Sequence, residues 1–346
     1  MAKVRVLVAE DSMTVRHRLV EVLDQHPDFE VVGQAENGRR AVELCMKLRP
    51  NVITIDLAMP EMNGVEATEE IMAHAPTPIL IVSGSLNRGE LFDTYDALSA
   101  GAIDVLEKPP GDERDEAWEA RFLSLLRIVA RVKPITHPRA RLRAAKERRE
   151  LPPLQLPPPM SSILAIGAST GGPQAIVEVL RSLPVGAATP VVVLLHIDEP
   201  FGTAFAEWLD GQTAHRVAYA LAGQAVVATA GMVTMAPPGR HLVVKNGTFE
   251  LKLDPPRHSC RPSIDVLFES IAREYGPRAT ACLLTGMGRD GAQGLLEIRR
   301  AGGFTIAQDE LTSIVYGMPR EAALLGAADR ILPLSAIGSA MIRDAK

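Results

Sequence analysis

Residues 163–173 read ILAIGASTGGP, and this stretch decides the fold of the half of the chain that contains it. Ile163 to Gly167 is a short apolar run of strand length, bounded by turn signals. The small residues Gly167-Ala168-Ser169-Thr170-Gly171-Gly172 allow a tight turn. Pro173 then opens a helix, because its ring presets a helical φ and its missing N–H is not needed in a first turn. Strand, tight turn and helix in that order form the repeating unit of a parallel sheet. Ser169 is thereby presented at the sheet edge, beside free backbone N–H groups and the positive end of a helix dipole.

Working outward, further strands are predicted at Val191 to His196, Ala279 to Thr285, Phe304 to Ala307 and Arg330 to Pro333. His241 to Lys245 and Phe249 to Leu253 flank Asn246-Gly247, a pair suited to positive φ, and so predict a small antiparallel hairpin. Residues 161–346 are thus expected to form a doubly wound, mostly parallel α/β domain with a hairpin appended. Toward the N-terminus the same rhythm recurs, with apolar runs at Val4 to Ala9, Val31 to Gly33, Val52 to Asp56, Ile79 to Ser83 and Ile103 to Leu106. Between the first two, Val15, Leu19, Val22 and Leu23 share one helix face. Residues 1–132 are therefore expected to form a flavodoxin-like α/β domain with a five-stranded parallel sheet. The stretch 133–160, with Arg139, Arg141, Arg143 and Lys146 followed by Pro152, Pro153 and Pro157 to Pro159, reads as a basic, Pro-rich linker.

A chain of 346 residues suits two such cores. Its 37 basic and 42 acidic residues leave a net charge of −5, which gives no reason to expect nucleic acid or an anionic membrane as partner. No signal peptide and no apolar run of membrane-spanning length is seen, so the expected location is the cytoplasm, without direct membrane insertion. Cys45, Cys260 and Cys282 are scattered and odd in number, and are read as small core residues.

In the first domain Glu10 and Asp11 follow the first strand, Asp56 ends the third, Ser83 ends the fourth and Lys108-Pro109 follows the fifth. In a doubly wound sheet these ends converge on the ligand-binding edge. Three carboxylates there would repel one another without a hard cation among them. Mg²⁺ fits, taking oxygen ligands from Glu10, Asp11 and Asp56. With Lys108 as a second positive partner, Asp56 becomes a nucleophile able to accept a phosphoryl group, which Ser83 would hydrogen-bond and report. Singly, these acids would be read as caps and turns. Together, with Met59-Pro60 and Gly64, they resemble the receiver domain of response regulators over residues 3 to about 130. The resemblance implies phosphotransfer from a histidine kinase to Asp56. One departure is Val105, where many receivers carry a switching aromatic.

In the second domain Ser169 requires a base. His196 ends a neighbouring apolar strand and is preferred, His241 remains a rival at the start of the hairpin, and His215 and His258 are set aside. Asp290, in the loop Thr285 to Gly291, is preferred as the acid that orients the imidazole. Asp198 is judged poorly placed, and Asp265 is assigned to a helix first turn. The Thr170 and Gly171 amides are candidates for an oxyanion hole. A dinucleotide fingerprint would need Gly at Ser169, and a nucleotide P-loop lacks its lysine. Gly167-x-Ser169-x-Gly171 matches a nucleophile elbow, yet the order Ser, His, Asp differs from that of α/β-hydrolases.

Residues 167–172, His196, 261–268, 285–291 and 308–319 together resemble the catalytic domain of the chemotaxis protein-glutamate methylesterases, the CheB family. The resemblance implies Ser169 as nucleophile, His196 as base, Asp290 as orienting acid, the Met287 amide as an oxyanion donor, and Thr170 as a residue that helps orient the histidine. It implies methylated chemoreceptor helices as substrate, deamidation of receptor glutamines by the same acyl-enzyme route, and no cofactor for the ester chemistry. An unphosphorylated receiver is expected to cover the substrate cleft until Asp56 is phosphorylated. The alternatives are a phosphorylation-dependent binding module without catalysis and a hydrolase of small esters. One departure is the acidic turn Asp198-Glu199 after His196.

Overall fold

The computed structural model describes residues 3–84, 88–109, 115–132, 162–186 and 188–343; the linker expected at 133–160 lies outside them. The chain divides into two compact units, Met1–Leu154 and Gln155–Lys346.

The first unit alternates β1 (Val4–Ala9), α1 (Met13–Asp24), β2 (Phe29–Ala35), α2 (Gly38–Leu48), β3 (Val52–Ile55), α3 (Gly64–His74), β4 (Ile79–Ser83), α4 (Arg88–Ala100), β5 (Asp104–Glu107) and α5 (Glu116–Val129). Its five strands are all parallel in the order β2-β1-β3-β4-β5. Every residue of β3 and β4 is buried, which is why both read as unbroken apolar runs rather than alternating ones. Helix starts are written locally. Ser12 accepts from the Val15 amide, Asn37 from the Arg40 amide, and Asn63 with Glu66 closes a reciprocal capping box. At Gly64 a Cβ would lie 2.3 Å from the Asp56 carbonyl oxygen, so only glycine lets α3 begin against the end of β3.

The second unit contains β6 (Ile163–Ala168), α6 (Gly172–Ser182), β7 (Val191–Leu195), α7 (Glu199–Gly202), α8 (Phe205–Gln212), β8 (Arg216–Tyr219) and β9 (Met232–Met235). These are followed by β10 (His241–Lys245), β11 (Thr248–Lys252), α9 (Ile264–Tyr275), β12 (Ala279–Leu283), α10 (Ala292–Arg300), β13 (Phe304–Gln308), α11 (Met318–Leu324), β14 (Arg330–Leu332) and α12 (Leu334–Arg343). Seven strands form a sheet in the order β14-β13-β12-β6-β7-β9-β8, and all of its pairings are parallel. β9 and β8 continue the sheet beyond β7, with β8 at its edge. β10 and β11 pair antiparallel, with Asn246 at φ 50° and Gly247 at φ 71°, as the sequence predicts. The hairpin is tied to α9, where the Val244 amide donates to Ser270 Oγ at 3.0 Å.

The core of this unit gathers Ile264, Leu267, Phe268 and Ile271 of α9 with the buried strands Ile163–Ala168 and Ala279–Leu283 and with Phe249 of the hairpin. Phe268 is fully buried, and its ring lies 3.2 Å from where a Cβ on Gly167 would stand. Phe268→Ala is expected to destabilise the second unit by about 3–5 kcal/mol, measured by urea unfolding. A loss under about 1 kcal/mol would mean the site collapses around the missing ring.

Candidate active site and phosphoryl-acceptor pocket

From β6 the second sheet grows one way through β7, β9 and β8, and the other way through β12, β13 and β14. The point where the strand order reverses therefore lies between β6 and β12, and the loops leaving their carboxyl ends form the crevice where such sheets bind ligands. Register places the sequence-predicted residues there. Ala168 pairs with Leu195, the His196 amide donates to the Ala168 carbonyl at 3.0 Å, and the Ser169 amide donates to the Thr285 carbonyl at 3.0 Å. Ser169 thus stands between the strand end that carries His196 and the loop that carries Asp290.

His196 Nε2 meets Asp290 Oδ2 at 2.8 Å. Asp290 is only 2% exposed, and its two oxygens also accept from Ser263 Oγ at 2.8 Å, the Ile264 amide at 2.7 Å and the Asp265 amide at 3.2 Å. Those donors are the N-cap and first residues of α9, so the carboxylate occupies an anion site built by a helix N-terminus. Burial would raise the Asp290 carboxyl, but His196, Ser263 and the Ile264 amide more than offset it and hold it below its ordinary range. Burial would likewise depress the imidazole, yet the Asp290 bond, aided by Cys260, lifts it to about 9.

With Nε2 turned onto Asp290, Nδ1 is the ring nitrogen left on the other side. Its neighbour is Cys260 Sγ at 3.7 Å. Among the described residues the Ser169 hydroxyl makes no hydrogen bond, so the resting ring is engaged with Asp290 and not with Ser169. The Gly171 and Met287 amides also donate to nothing among the described residues. Gly171 lies at φ 75° as the N-cap of α6, and Met287 is exposed on the loop after β12. Thr170 is buried, and its carbonyl accepts from Thr285 Oγ1 at 2.9 Å. An open cleft of about 590 Å³ is lined by Cys260, Met287, Arg289, Asp290 and Glu321, among others.

The rival base is placed elsewhere. His241 is 1% exposed, with Nε2 on the Pro255 carbonyl at 3.1 Å and Nδ1 accepting the Ser263 amide at 3.1 Å, so it braces the segment that precedes α9. His215 bonds the Leu180 carbonyl. Asp198 heads the short α7. Asp265 lies in a first helical turn as expected, but it is fully buried, accepts from the Gly294 amide at 2.6 Å and meets His258 at 3.2 Å.

Sequence reasoning missed two contributors. Ser263 was readable as a helix cap, but not as a donor to Asp290. Cys260, read as a core residue, is half-exposed beside the imidazole; Cys45 and Cys282 are buried as expected. The loop carrying Met287 is held by Gln308, whose Oε1 accepts from the Thr285 amide at 2.8 Å, and by the Gly286 amide donating to the Val315 carbonyl at 3.0 Å.

In the first unit the strand order turns at β1 and β3, and the predicted acids meet there. Oxygens of Glu10, Asp11 and Asp56 lie within 4.8 Å of one another. Lys108 Nζ bridges Glu10 Oε1 at 3.0 Å and Asp56 Oδ2 at 2.9 Å. Asp56 Oδ1 accepts the Leu57 amide at 2.8 Å, while the buried Glu10 Oε2 has no hydrogen-bond partner. Burial, then the Asp56 charge, push Glu10 up to about 7 despite Lys108. Burial also raises Asp56 against the pull of the same lysine. One lysine leaves the pocket short of positive charge, and an all-oxygen set with an unsatisfied buried oxygen fits a hard divalent cation. Ser83 is buried at the end of β4 and Val105 is buried in β5.

These two sites define a class: a receiver-type phosphoryl-acceptor unit joined in one chain to an α/β unit with hydrolase-type side chains at its strand-order reversal. Family models agree with that division, a response regulator receiver domain matching residues 6–115 and a CheB methylesterase matching residues 164–341. A protein-glutamate methylesterase/protein-glutamine glutaminase of Anaeromyxobacter dehalogenans is 43% identical over 98% of this chain and 96% of its own length. A counterpart in Nitrosospira multiformis is 40% identical over 98% and 96%. The catalytic domain of the Thermotoga maritima CheB methylesterase matches 52% of this chain and 97% of its own, at 34% identity and a TM-score of 0.50. The chain belongs to the CheB methylesterase family.

The ion pair makes a pH prediction. His196, raised from 6.5 to about 9, contributes stability that is fully present below pH 6.5 and lost as pH rises through about 9. Asp290, lowered from 3.8, contributes stability present above that pH and lost only in stronger acid. The urea midpoint of the second unit should therefore fall between pH 6.5 and 9, and His196→Gln should flatten that fall. An equal fall in the variant would assign it to other groups.

Proposed function

We propose that this chain is a phosphorylation-activated protein-glutamate methylesterase that acts on chemoreceptor helices in the cytoplasm and also deamidates receptor glutamines. The observation that carries the reading is the His196–Asp290 pair set beside Ser169 at the strand-order reversal. Family membership supports the same chemistry. Among the described residues no helix is long and apolar enough to cross a membrane.

In this reading Ser169 Oγ attacks the ester carbonyl and its proton passes to His196 Nδ1. The Asp290 carboxylate stays on Nε2, fixing the tautomer and stabilising the imidazolium. The unbonded amides of Gly171 and Met287, with Thr170 close by, serve the developing oxyanion. The proton on Nδ1 goes to the departing methoxide, so methanol leaves and a glutamyl ester of Ser169 remains. Water then gives a proton to Nδ1 and its oxygen to the acyl carbon, releasing the glutamate side chain and restoring the serine. With a glutamine side chain the first leaving group is ammonia.

On the receiver, Asp56 takes a phosphoryl group from a chemosensory histidine kinase, and Glu10, Asp11 and Asp56 are the residues that would hold Mg²⁺. There Mg²⁺ would supply charge neutralisation at phosphoryl transfer. Lys108, bridging Glu10 and Asp56, is placed to contact the new phosphoryl oxygens, and Ser83 to donate its hydroxyl hydrogen to one of them.

Methanol release from methylated receptor membranes should fall by at least about 10³-fold in Ser169→Ala; wild-type rates in that variant would remove Ser169 from the chemistry. Acetyl phosphate with Mg²⁺ should raise the rate of the intact chain, and Asp56→Asn should abolish the rise while leaving the basal rate. Stimulation that survives in Asp56→Asn would place the phosphoryl group elsewhere.

A further inference from the structure

Cys260 has no part in the ester chemistry, yet its sulfur is the neighbour of the working nitrogen of His196. We propose that Cys260 Sγ and His196 Nδ1 form a binding site for a thiophilic divalent metal ion such as Zn²⁺, and that its occupancy silences the esterase. The silencing rests on the assignment of His196 as base; the binding does not.

The spacing carries the case. Zn–S and Zn–N bonds of about 2.3 and 2.0–2.1 Å at a tetrahedral angle place the two donor atoms about 3.6 Å apart. The Sγ–Nδ1 separation is 3.7 Å. A metal can therefore enter between them with little movement of either side chain. The donors are also of the right kind, since a thiolate with an imidazole selects zinc-like ions over Mg²⁺.

The second observation is what stands behind the ring. His196 Nε2 is fixed on the Asp290 carboxylate at 2.8 Å, and that carboxylate is held by Ser263 and two amides of α9. A metal-bound histidine characteristically gives its other N–H to a carboxylate, which orients the ring and raises its basicity. Here that support exists before any metal arrives. Sγ, the imidazole and the Asp290 carboxylate offer donor atoms within 4.8 Å of one another. Cys260 and Asp290 both line the open cleft, so the ion has an entry path and solvent can complete its coordination.

The balance is simple. The ion takes the Nδ1 lone pair and the Cys260 sulfur, the thiol proton and the proton that a charged ring carries on Nδ1 are released to solvent, and nothing is oxidised or reduced. With that lone pair bound, Ser169 has no base.

The test uses the full chain. Co²⁺ titrated into the wild type should give a thiolate-to-cobalt charge-transfer band that Zn²⁺ competes away. Cys260→Ala should lose the band, and His196→Gln should weaken cobalt binding by at least ~10-fold, since even a lost supporting contact costs that much. The all-oxygen pocket of the receiver gives no thiolate band. In parallel, buffered Zn²⁺ should inhibit methanol release by the wild type. Cys260→Ala, active in the presence of chelator, should require at least ~10-fold more Zn²⁺. Retained activity of that variant, or of Cys260→Ser, shows that it folds. A band that persists without Cys260, or equal zinc sensitivity in both proteins, overturns the proposal. A cobalt band in a chain that shows no esterase activity would leave the metal site standing and remove the esterase reading instead.

Discussion

The second unit depends on one carboxylate. Asp290 would be costly to bury alone, because an isolated charge in a low-dielectric interior loses its hydration without return. Here the cost is offset by a hydroxyl, two helix-terminal amides and an imidazole. Those four donors come from two segments far apart in sequence, so one side chain fixes the loop after β12 to the start of α9 and to the end of β7. The arrangement also gives the buried His241 a structural task. By accepting the Ser263 amide it sets the residue whose hydroxyl meets Asp290.

The receiver follows the opposite logic. Its acids are brought together without enough donors, so burial pushes Glu10 up to about 7 and raises Asp56 as well, even with Lys108 between them. A site that is satisfied at rest suits a fixed catalytic pair. A site left short of positive charge suits one that gains ions and a phosphoryl group during its cycle. The two units thus hold buried acids for different ends, and the difference lies in which backbone amides reach them.

Much of this was legible in the sequence because parallel strands are buried on both faces and read as apolar runs. Strand ends could then be aligned, which brought Glu10, Asp11, Asp56 and Lys108 together, and likewise Ser169, His196 and Asp290. What escaped was whatever depends on side-chain direction. β9, between β7 and β8, is only four residues long, too short for a periodic signal. Cys260 sits in a loop where no pattern distinguishes a core thiol from one facing an imidazole. Ser263 announces a helix start, but nothing local says its hydroxyl is shared with a residue 27 positions away.

The ring of His196 faces its acid through Nε2, whereas in the Ser-His-Asp arrangement of serine proteases the acid holds Nδ1 and the outer nitrogen does the work. On the proposed assignment of His196 as base, the reactive nitrogen is therefore the one nearer the main chain, sheltered by its own Cβ. Affinity labels that alkylate the outer nitrogen of a protease histidine would find that atom turned inward onto a carboxylate. Inhibitor chemistry borrowed from those enzymes is aimed at the wrong side of this imidazole.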